Sequence, residues 1–232
     1  MNIKGLQKTT LLDFPEKVAC TVFTGGCNFR CPFCHNASLV LGTANVTSIS
    51  EEEFFSYLNK RKGVLDGVCI TGGEPLLNSD IADFIKKIRS LGLLVKLDTN
   101  GSFPERLEAL LDEGLLDYVA MDIKNSKSKY ALTSGLESHT EQIDKIEKSI
   151  DIIINKAPDY EVRTTVVREL HDIDDIIEIA NRIKKAKKYF LQSYVDSGDI
   201  ISDGFSAYSE TEMLKILENA KKILPITALR GI

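Results

Sequence analysis

The sequence predicts an α/β protein: a single-domain, partial TIM-type barrel of six strand–helix units with one side open. Short β-rich runs alternate with longer amphipathic runs, and the alternation repeats six times without a proline- or glycine-rich linker. Strands that alternate with helices form parallel sheets with right-handed crossovers. Eight units would close a barrel, so six units leave it incomplete. A flat doubly wound sheet is the alternative architecture.

Six short runs are predicted as the strands of this sheet because they are rich in β-branched and aromatic residues. They are residues 18–24, 67–71, 94–99, 117–124, 160–167 and 189–195. Six longer runs are predicted as helices because their apolar residues recur at three- and four-residue spacing. They are residues 50–61, 80–92, 104–114, 141–154, 172–187 and 209–223.

Capping residues support several helix boundaries. Ser50 precedes three glutamates, and Ser209 stands three residues before Glu212, as in a capping box. Gly92 and Gly114 stand where two of the helices are predicted to end.

The whole chain, residues 1–232, is predicted to form one domain. Residues 1–17 are an N-terminal extension, and residues 18–195 contain the six strands, with a cysteine-containing loop at 25–36. Residues 196–232 form a C-terminal loop, helix and tail.

Composition indicates an ordinary globular protein, with 43% hydrophobic residues and a net charge of −5. No apolar run approaches the roughly 20 residues of a membrane span. The acidic balance argues against nucleic-acid binding, which needs a basic surface. Reduced cysteines and the lack of a targeting segment predict a cytoplasmic protein.

Cys27, Cys31 and Cys34 lie in the run GGCNFRCPFCHN. Thiolates favour iron–sulfur clusters, zinc and Cu(I). Complete thiolate ligation of a 4Fe–4S cluster needs four cysteines, so three leave one iron free to bind a small molecule. The spacing therefore predicts a catalytic cluster. A zinc site that also uses His35 is the alternative, although structural zinc ligands usually form two separated pairs.

The other cysteines and histidines are not assigned to the site. Cys20 and Cys69 fall within predicted strands, where a free cysteine is usually a small buried hydrophobe. Five cysteines are an odd number, which disfavours a disulfide framework. His139 and His171 fall in predicted loops and are expected at the surface.

Polar sequences follow four successive strands. The cysteine loop follows the first strand, TGGEP (71–75) the second, DTNG (98–101) the third, and MDIK (121–124) ends the fourth. Because function gathers at the carboxyl ends of parallel strands, these segments are predicted to meet at one rim.

With these motifs, the chain resembles the radical S-adenosylmethionine (SAM) enzymes. CNFRCPFC resembles their cysteine motif, with Phe33 before the third cysteine, and GGEP (72–75) resembles their second signature. CHN (34–36), LDTNG (97–101) and MDIK resemble the glycyl-radical-enzyme activating proteins. The opening GLQKTTLLDFPEKV, RTTVV and the terminal LRG resemble the long form of the activating proteins of anaerobic ribonucleoside-triphosphate reductase.

The resemblance implies a 4Fe–4S cluster held by the three cysteines and a SAM molecule bound at the open iron. Reductive cleavage of SAM would give a 5′-deoxyadenosyl radical, which in this family takes a hydrogen atom from a glycine of a partner enzyme. The implied partner is anaerobic ribonucleotide reductase, and no catalytic residue is expected beyond the cluster and cofactor ligands. No cysteine follows Cys69, so flavodoxin or ferredoxin is the expected electron donor.

The resemblance also implies cofactor-binding residues. Glycines at 72 and 73 let backbone approach a ligand closely, although a glycine pair is also an ordinary turn. Phe33 would stack on adenine, or simply pack the loop. The implied cofactor-binding set is Phe33, His35, Gly72, Gly73, Glu74, Asp98, Asn100, Lys124 and Arg163.

A monovalent cation site beside the cofactor is a further implication. Its expected ligands are Asp98, Thr99, Met121 through its carbonyl, and Asp122. Two plainer readings stay open: Asp122 pairs with Lys124, and Arg163 pairs with a strand neighbour.

Two other functions are compatible with the motifs. A radical SAM enzyme acting on a small molecule, similar to 7-carboxy-7-deazaguanine synthase, would share GGEP but more often has Glu-Thr-Asn-Gly where this chain has DTNG. A zinc-stabilised binding module without catalysis is the second alternative.

Overall fold

The computed structural model describes residues 1–136 and 140–231, which form one eight-stranded sheet. The strands lie in chain order; β1 is antiparallel to β2, and all other neighbours are parallel. They are β1 (Ile3–Thr10), β2 (Ala19–Thr24), β3 (Gly67–Gly72), β4 (Leu94–Thr99), β5 (Tyr118–Asp122), β6 (Tyr160–Val166), β7 (Tyr189–Ser193) and β8 (Thr227–Arg230). The order never reverses, so the doubly wound alternative is wrong. The two edge strands do not pair, which confirms the predicted open-sided α/β barrel.

Helices connect the parallel strands and cover the outer face of the sheet. They are α1 (Ala37–Leu41), α2 (Glu51–Lys60), α3 (Ile81–Ser90), α4 (Pro104–Asp112), α5 (Tyr130–Ser134), α6 (Thr140–Lys156), α7 (Ile173–Arg182) and α8 (Glu210–Ile223). The predicted capping boxes at Ser50 and Ser209 are both formed. Gly92 and Gly114 follow α3 and α4 with positive φ angles of 81° and 64°, as predicted for helix ends.

The six predicted strands correspond to β2–β7, but the structure adds two strands in segments predicted as extension and tail. β1 is mostly half-exposed or exposed, and only Ile3 and Thr10 are buried. An exposed edge strand carries little apolar signal, so its sequence does not identify it. β8 has four residues, of which only Thr227 is buried. The short helices α1 and α5 were also missed, because five residues are too few to show a helical period.

The barrel interior changes character along its axis. A small apolar cluster closes the amino-terminal end of the strands; its members are Phe14, Ala19, Tyr118 and Ala120. Side chains alternate across a strand, so Lys96 and Asp98 of β4 share one face, as do Glu161 and Arg163 of β6. These charged residues contact one another inside the barrel. The apolar floor therefore lies beneath a polar interior that opens toward the carboxyl ends.

Arg230 attaches the last strand to this interior. Its guanidinium forms two hydrogen bonds with the Glu161 carboxylate, at 2.8 and 3.0 Å, and lies 3.9 Å from the ring centre of Phe190. The Glu161 carboxylate also accepts a hydrogen bond from the Tyr118 hydroxyl. Burial opposes ionisation of Glu161, but the hydrogen bonds from Arg230 and the charge of Arg163 outweigh burial and lower its pKa.

Among the residues described, no helix has both the length and the apolar character needed to cross a membrane.

We expect Arg230→Gln to lower the free energy of unfolding by about 1–2 kcal/mol, allowing for the partial exposure of Arg230. The reason is that Glu161, which is only 1% exposed, would lose the hydrogen bonds from the two N–H groups of the Arg230 guanidinium. Urea denaturation measures the change. The control is Arg168→Gln, because Arg168 forms a similar pair with Glu212 at the surface. That variant should differ little from wild type, and equal losses in both variants would contradict the structural role of Arg230.

Candidate active site

A cavity of about 360 Å³ opens at the carboxyl ends of the strands, and it gathers nearly all the predicted site residues. From the predicted set, the lining includes Cys27, Cys31, Phe33, Cys34, His35, Gly72, Gly73, Asp98, Thr99, Asn100, Asp122, Lys124 and Arg163. Glu74 and Met121 do not line it. Residues from five separate segments of the chain therefore meet at one place, although they span more than a hundred positions.

The three clustered cysteines are free thiols at this cavity; Cys31 is buried, while Cys27 and Cys34 are half-buried. Burial raises the pKa of Cys27, and that of Cys31 to about 12, so these thiols hold their protons until a metal displaces them. Within the described chain, no three Cys, His, Asp or Glu side chains are grouped as ligands of one metal ion. The thiolates of a 4Fe–4S cluster each bind a different iron, so three cysteines that line one cavity are a donor set that such a cluster can use.

Two other segments of the chain hold the cysteine loop and the helix that follows it. The Arg30 N–H donates to the Ser134 carbonyl oxygen at 2.8 Å, which joins the loop to α5. Gly135 ends α5 with a φ of 68°, and a Cβ there would lie 2.1 Å from the Arg30 oxygen. On the other side, Asp199 accepts hydrogen bonds from the Ser38 N–H and hydroxyl, which holds α1 in place. These contacts hold the loop and α1 from α5 on one side and from the segment around Asp199 on the other.

Aromatic packing accounts for Phe33 without a ligand. Its ring lies edge-on to Tyr194, with 6.5 Å between the ring centres, and is 4% exposed. These contacts support the interpretation that Phe33 packs the loop. Phe33 also lines the cavity, so stacking on adenine stays a prediction.

The Gly72–Gly73 turn lies so close to the cysteine loop that a side chain would not fit. A Cβ on Gly73 would lie 1.9 Å from the Gly26 carbonyl oxygen, and one on Gly72 would lie 2.4 Å from the Thr24 nitrogen. Gly72 also has a φ of 116°, which disfavours any other residue. The Glu74 N–H donates to the same Gly26 oxygen at 2.9 Å. The glycine pair is therefore needed to join the two loops, and its backbone also faces the cavity.

Glu74 lies behind the cavity wall and is completely buried. Its carboxylate accepts hydrogen bonds from the Leu76 N–H (3.0 Å), the Thr99 hydroxyl (2.9 Å) and the Asn100 N–H (2.7 Å). Burial raises the pKa of Glu74 to about 7, although these three donors oppose the rise. The carboxylate thus ties the GGE turn to the DTNG turn, and the cavity is contacted by the backbone of Gly72 and Gly73 instead.

Two carboxylates and three cations form a network at the cavity, in which Asp98, Asp122, Lys124 and Arg163 are half-buried and line the cavity, whereas Lys96 is buried behind them. Arg163 bridges Asp122 (Nε to Oδ1, 2.8 Å) and Asp98 (Nη1 to Oδ2, 3.2 Å). Lys124 bonds Asp122 at 3.2 Å, and Lys96 bonds Asp98. Burial opposes the charge on Asp122, but Arg163 and Lys124 outweigh it and hold its pKa far below the usual value. Lys96 was missed, although a lysine in an otherwise apolar strand, two residues before an aspartate, is a readable signal.

Three of the residues expected to bind a cation already form ion pairs or hydrogen bonds through their side chains. Asp98 and Asp122 are shared among the three cations just described, and the Thr99 hydroxyl donates to Glu74. Met121 is buried and lies outside the cavity lining. Both plainer readings, pairing of Asp122 with Lys124 and of Arg163 with strand neighbours, are present in the structure. The cation site itself stays a prediction.

His171, expected at the surface, is buried instead. Its Nδ1 accepts from the Val167 N–H at 3.1 Å, so Nε2 carries the proton and donates to the Lys124 carbonyl oxygen at 2.8 Å. Burial lowers the pKa of His171, which keeps the ring neutral. The imidazole therefore holds the backbone of a cavity residue in place. His139 lies outside the described residues.

An open parallel barrel with thiols and polar loops at its carboxyl rim is the arrangement of a barrel enzyme. The profile of the Radical SAM superfamily matches residues 21–187. The chain belongs to this superfamily and is an enzyme of it, and membership implies a 4Fe–4S cluster and SAM as cofactors.

Individual proteins of known name are also similar to this chain. A Methanocaldococcus jannaschii protein provisionally named a glycyl-radical enzyme activating enzyme is 32% identical over 99% of this chain and 96% of its own length. The pyruvate formate-lyase-activating enzyme of Listeria monocytogenes is 32% identical over 53% of each chain. A crystal structure of a radical SAM methyltransferase from Sphaerobacter thermophilus matches with a TM-score of 0.69 and 13% identity, covering 94% of this chain and 67% of that one. This last likeness bears on the fold alone.

We expect Gly73→Ala to destabilise the protein by about 1–3 kcal/mol, because the new Cβ must displace a backbone oxygen. Urea denaturation of the metal-free protein under anaerobic conditions measures this. Gly42→Ala is the matched control, since its Cβ would meet its nearest neighbour at an ordinary 3.5 Å. If the two variants are equally stable, the close approach of the two loops is not a constraint.

Glu74 should make stability depend on pH. Its pKa is about 7 when folded and near the ordinary 4.5 when unfolded. Between these values the folded protein holds a proton that the unfolded chain has released, so stability falls as pH rises, by up to about 1.4 kcal/mol per unit. Glu74→Gln cannot titrate, and the difference between the two denaturation profiles from pH 4.5 to 8 isolates the effect. Parallel profiles would show that Glu74 has an ordinary pKa.

Proposed function

We propose that this protein is a radical SAM activating enzyme that generates a glycyl radical on a partner enzyme, namely anaerobic ribonucleoside-triphosphate reductase. The observation that carries the proposal is the convergence of three free thiols and the Gly72–Gly73 backbone on one cavity at the carboxyl rim. Similarity over nearly the whole chain to a provisionally named glycyl-radical enzyme activating enzyme supports this class of activity. The choice of reductase rests on the resemblance of the opening, RTTVV and LRG segments.

In this proposal, Cys27, Cys31 and Cys34 hold the 4Fe–4S cluster. Cys69 also lines the cavity, but it lies in β3 three residues before Gly72, roughly 10 Å deeper along the strand. Its thiol contacts Asp98 and Lys96 at 3.8 and 3.7 Å. Cys69 is therefore not a candidate for a fourth ligand, and one corner of the cluster stays available to SAM.

With SAM bound, reductive cleavage supplies a 5′-deoxyadenosyl radical and methionine. The backbone of Gly72 and Gly73 would bind the amino group of SAM, with Glu74 positioning that backbone from behind. Lys124 would bind the carboxylate of SAM. The charge of Asp122 outweighs the effect of burial and raises the pKa of Lys124, so the side chain is an ammonium. The ammonium has three N–H donors, and Asp122 accepts from only one of them. Phe33 and His35 would flank adenine.

The network of carboxylates and cations would set the polarity around the rest of the cofactor. Asp98 would lie near the ribose, and Arg163 would hold Asp98 and Asp122 in position through its two bridges. A monovalent cation beside the cofactor would share the oxygens of Asp98 and Asp122 with these side chains, together with Thr99 and the Met121 carbonyl. No acid–base pair is needed, because the partner's glycine loses a hydrogen atom rather than a proton.

Four further assignments accompany this function. The electron donor would be flavodoxin or ferredoxin, because the three-cysteine loop provides for one cluster. Residues 1–232 would act as one domain, since a single sheet runs from β1 to β8. The free thiols fit a reducing compartment such as the cytoplasm. No nucleic acid or membrane is involved in the proposed reaction.

The proposal predicts a glycine-centred doublet in the electron paramagnetic resonance (EPR) spectrum of anaerobic ribonucleotide reductase after incubation with this enzyme, reductant and SAM. Cys31→Ser should lose both the cluster iron and essentially all SAM cleavage, because one corner of the cluster loses its ligand. Cys20→Ala is the matched control, since Cys20 is a buried cysteine of β2 outside the cavity, and it should retain the doublet.

Three outcomes separate the alternatives. SAM cleavage without a doublet on the reductase, but with one on another glycyl-radical enzyme, would replace the partner and keep the class. Ring contraction of the pterin substrate of 7-carboxy-7-deazaguanine synthase would establish a small-molecule enzyme. Full cleavage activity in Cys31→Ser would refute the ligand assignment.

A further inference from the structure

Asn100 is anchored at the rim by its backbone. It follows the last residue of β4, is 7% exposed, and donates its N–H to the buried Glu74 carboxylate at 2.7 Å. Gly101 follows with a φ of 76°, so the chain turns immediately after Asn100. The backbone of Asn100 is therefore held in place by a fully buried carboxyl group.

The orientation of the Asn100 amide is also determined. Its Oδ1 accepts from the Ser102 N–H at 2.9 Å and from the Ser102 hydroxyl at 2.5 Å. A backbone N–H can only donate, so the atom that faces it must be the amide oxygen. The amide nitrogen consequently faces the cysteine loop, where it contacts the Asn28 Oδ1 at 3.1 Å and the Cys27 sulfur at 3.8 Å. Its two hydrogens thus have two acceptors.

The sulfur of Cys27 differs from the other two in this respect. It accepts from the Phe29 N–H at 3.4 Å as well as from the Asn100 amide. In the part of the chain that is described, the structure gives no hydrogen bond from nitrogen to the sulfur of Cys31 or Cys34. Asn28 reinforces the contact, since its own amide donates to the Ser102 hydroxyl at 3.0 Å.

We infer that Asn100 is a positioning residue that donates a hydrogen bond to the Cys27 sulfur and thereby raises the reduction potential of the cluster. This inference rests on the proposed function, in which Cys27 is a cluster ligand. Hydrogen bonds to the sulfurs are among the factors that set the potential of an iron–sulfur cluster, because they withdraw negative charge and favour the reduced state. Glu74 and Ser102 hold the donor in place, so the DTNG turn is a support for the cluster as well as a wall of the cavity.

Asn100→Asp tests this directly, because it keeps the oxygen that Ser102 requires and replaces the donor with a second oxygen. Dye-mediated redox titration of the reconstituted protein, monitored by EPR of the reduced cluster, measures the midpoint potential. At a fixed potential we expect the ratio of reduced to oxidised cluster to fall at least about tenfold, equivalent to about 59 mV for one electron. Iron and sulfide content confirm that each variant holds a complete cluster.

Asn78→Asp is the matched control. The Asn78 amide donates to the Pro75 carbonyl oxygen and does not line the cavity, so the same change of charge there should leave the potential unaltered. Asn100→Ala removes the donor without adding charge; it should shift the potential in the same direction by less, and it carries the test if the aspartate variant does not assemble. Unchanged potentials in assembled Asn100 variants would overturn the inference while the proposed function stands. Failure of the wild-type protein to bind a cluster would overturn both.

Discussion

The contact between the end of β3 and the cysteine loop organises the rest of the site. The Gly26 carbonyl oxygen accepts from the Glu74 N–H, and the space beside it admits no side chain at Gly73. The buried Glu74 carboxylate then reaches the next turn through Thr99 and Asn100. Three loops from three strands are thus joined by hydrogen bonds to the Glu74 residue, whose carboxylate is fully buried. Such groups are costly to leave unpaired, so the rim is held in one arrangement before any cofactor arrives.

The charged groups inside the barrel are also paired with one another. Asp98 and Asp122 would be expensive to bury alone, and Arg163 compensates both at once. Lys96 and Lys124 complete the balance at the two ends of the group. The result is a cavity in which the charged part of the wall is fixed by its own ion pairs. A site of this kind can receive a charged ligand without first reorganising its side chains.

Sequence patterns predicted the parallel barrel, all six central strands and the longer helices, because buried strands and amphipathic helices have strong periodic signals. They could not identify β1 and β8, whose exposed or very short stretches lack such a signal. At the site, motif spacing predicted which residues meet, since strand ends share a rim. It did not predict that Glu74 turns away from the cavity or that His171 is buried under Lys124. Those outcomes depend on side-chain direction and on partners distant in sequence, which no local pattern encodes.

The bond between Asp199 and Ser38 joins positions 161 residues apart. It lies in the connection after β7, a stretch that is mostly half-buried or exposed and contributes no strand of its own. A protease that cut this connection would break no strand of the sheet. The helix that follows the cysteine loop would nevertheless lose the covalent support of its contact with Asp199. The arrangement of the cysteine-bearing end of the molecule thus depends on a peripheral stretch of chain that adds no strand to the barrel.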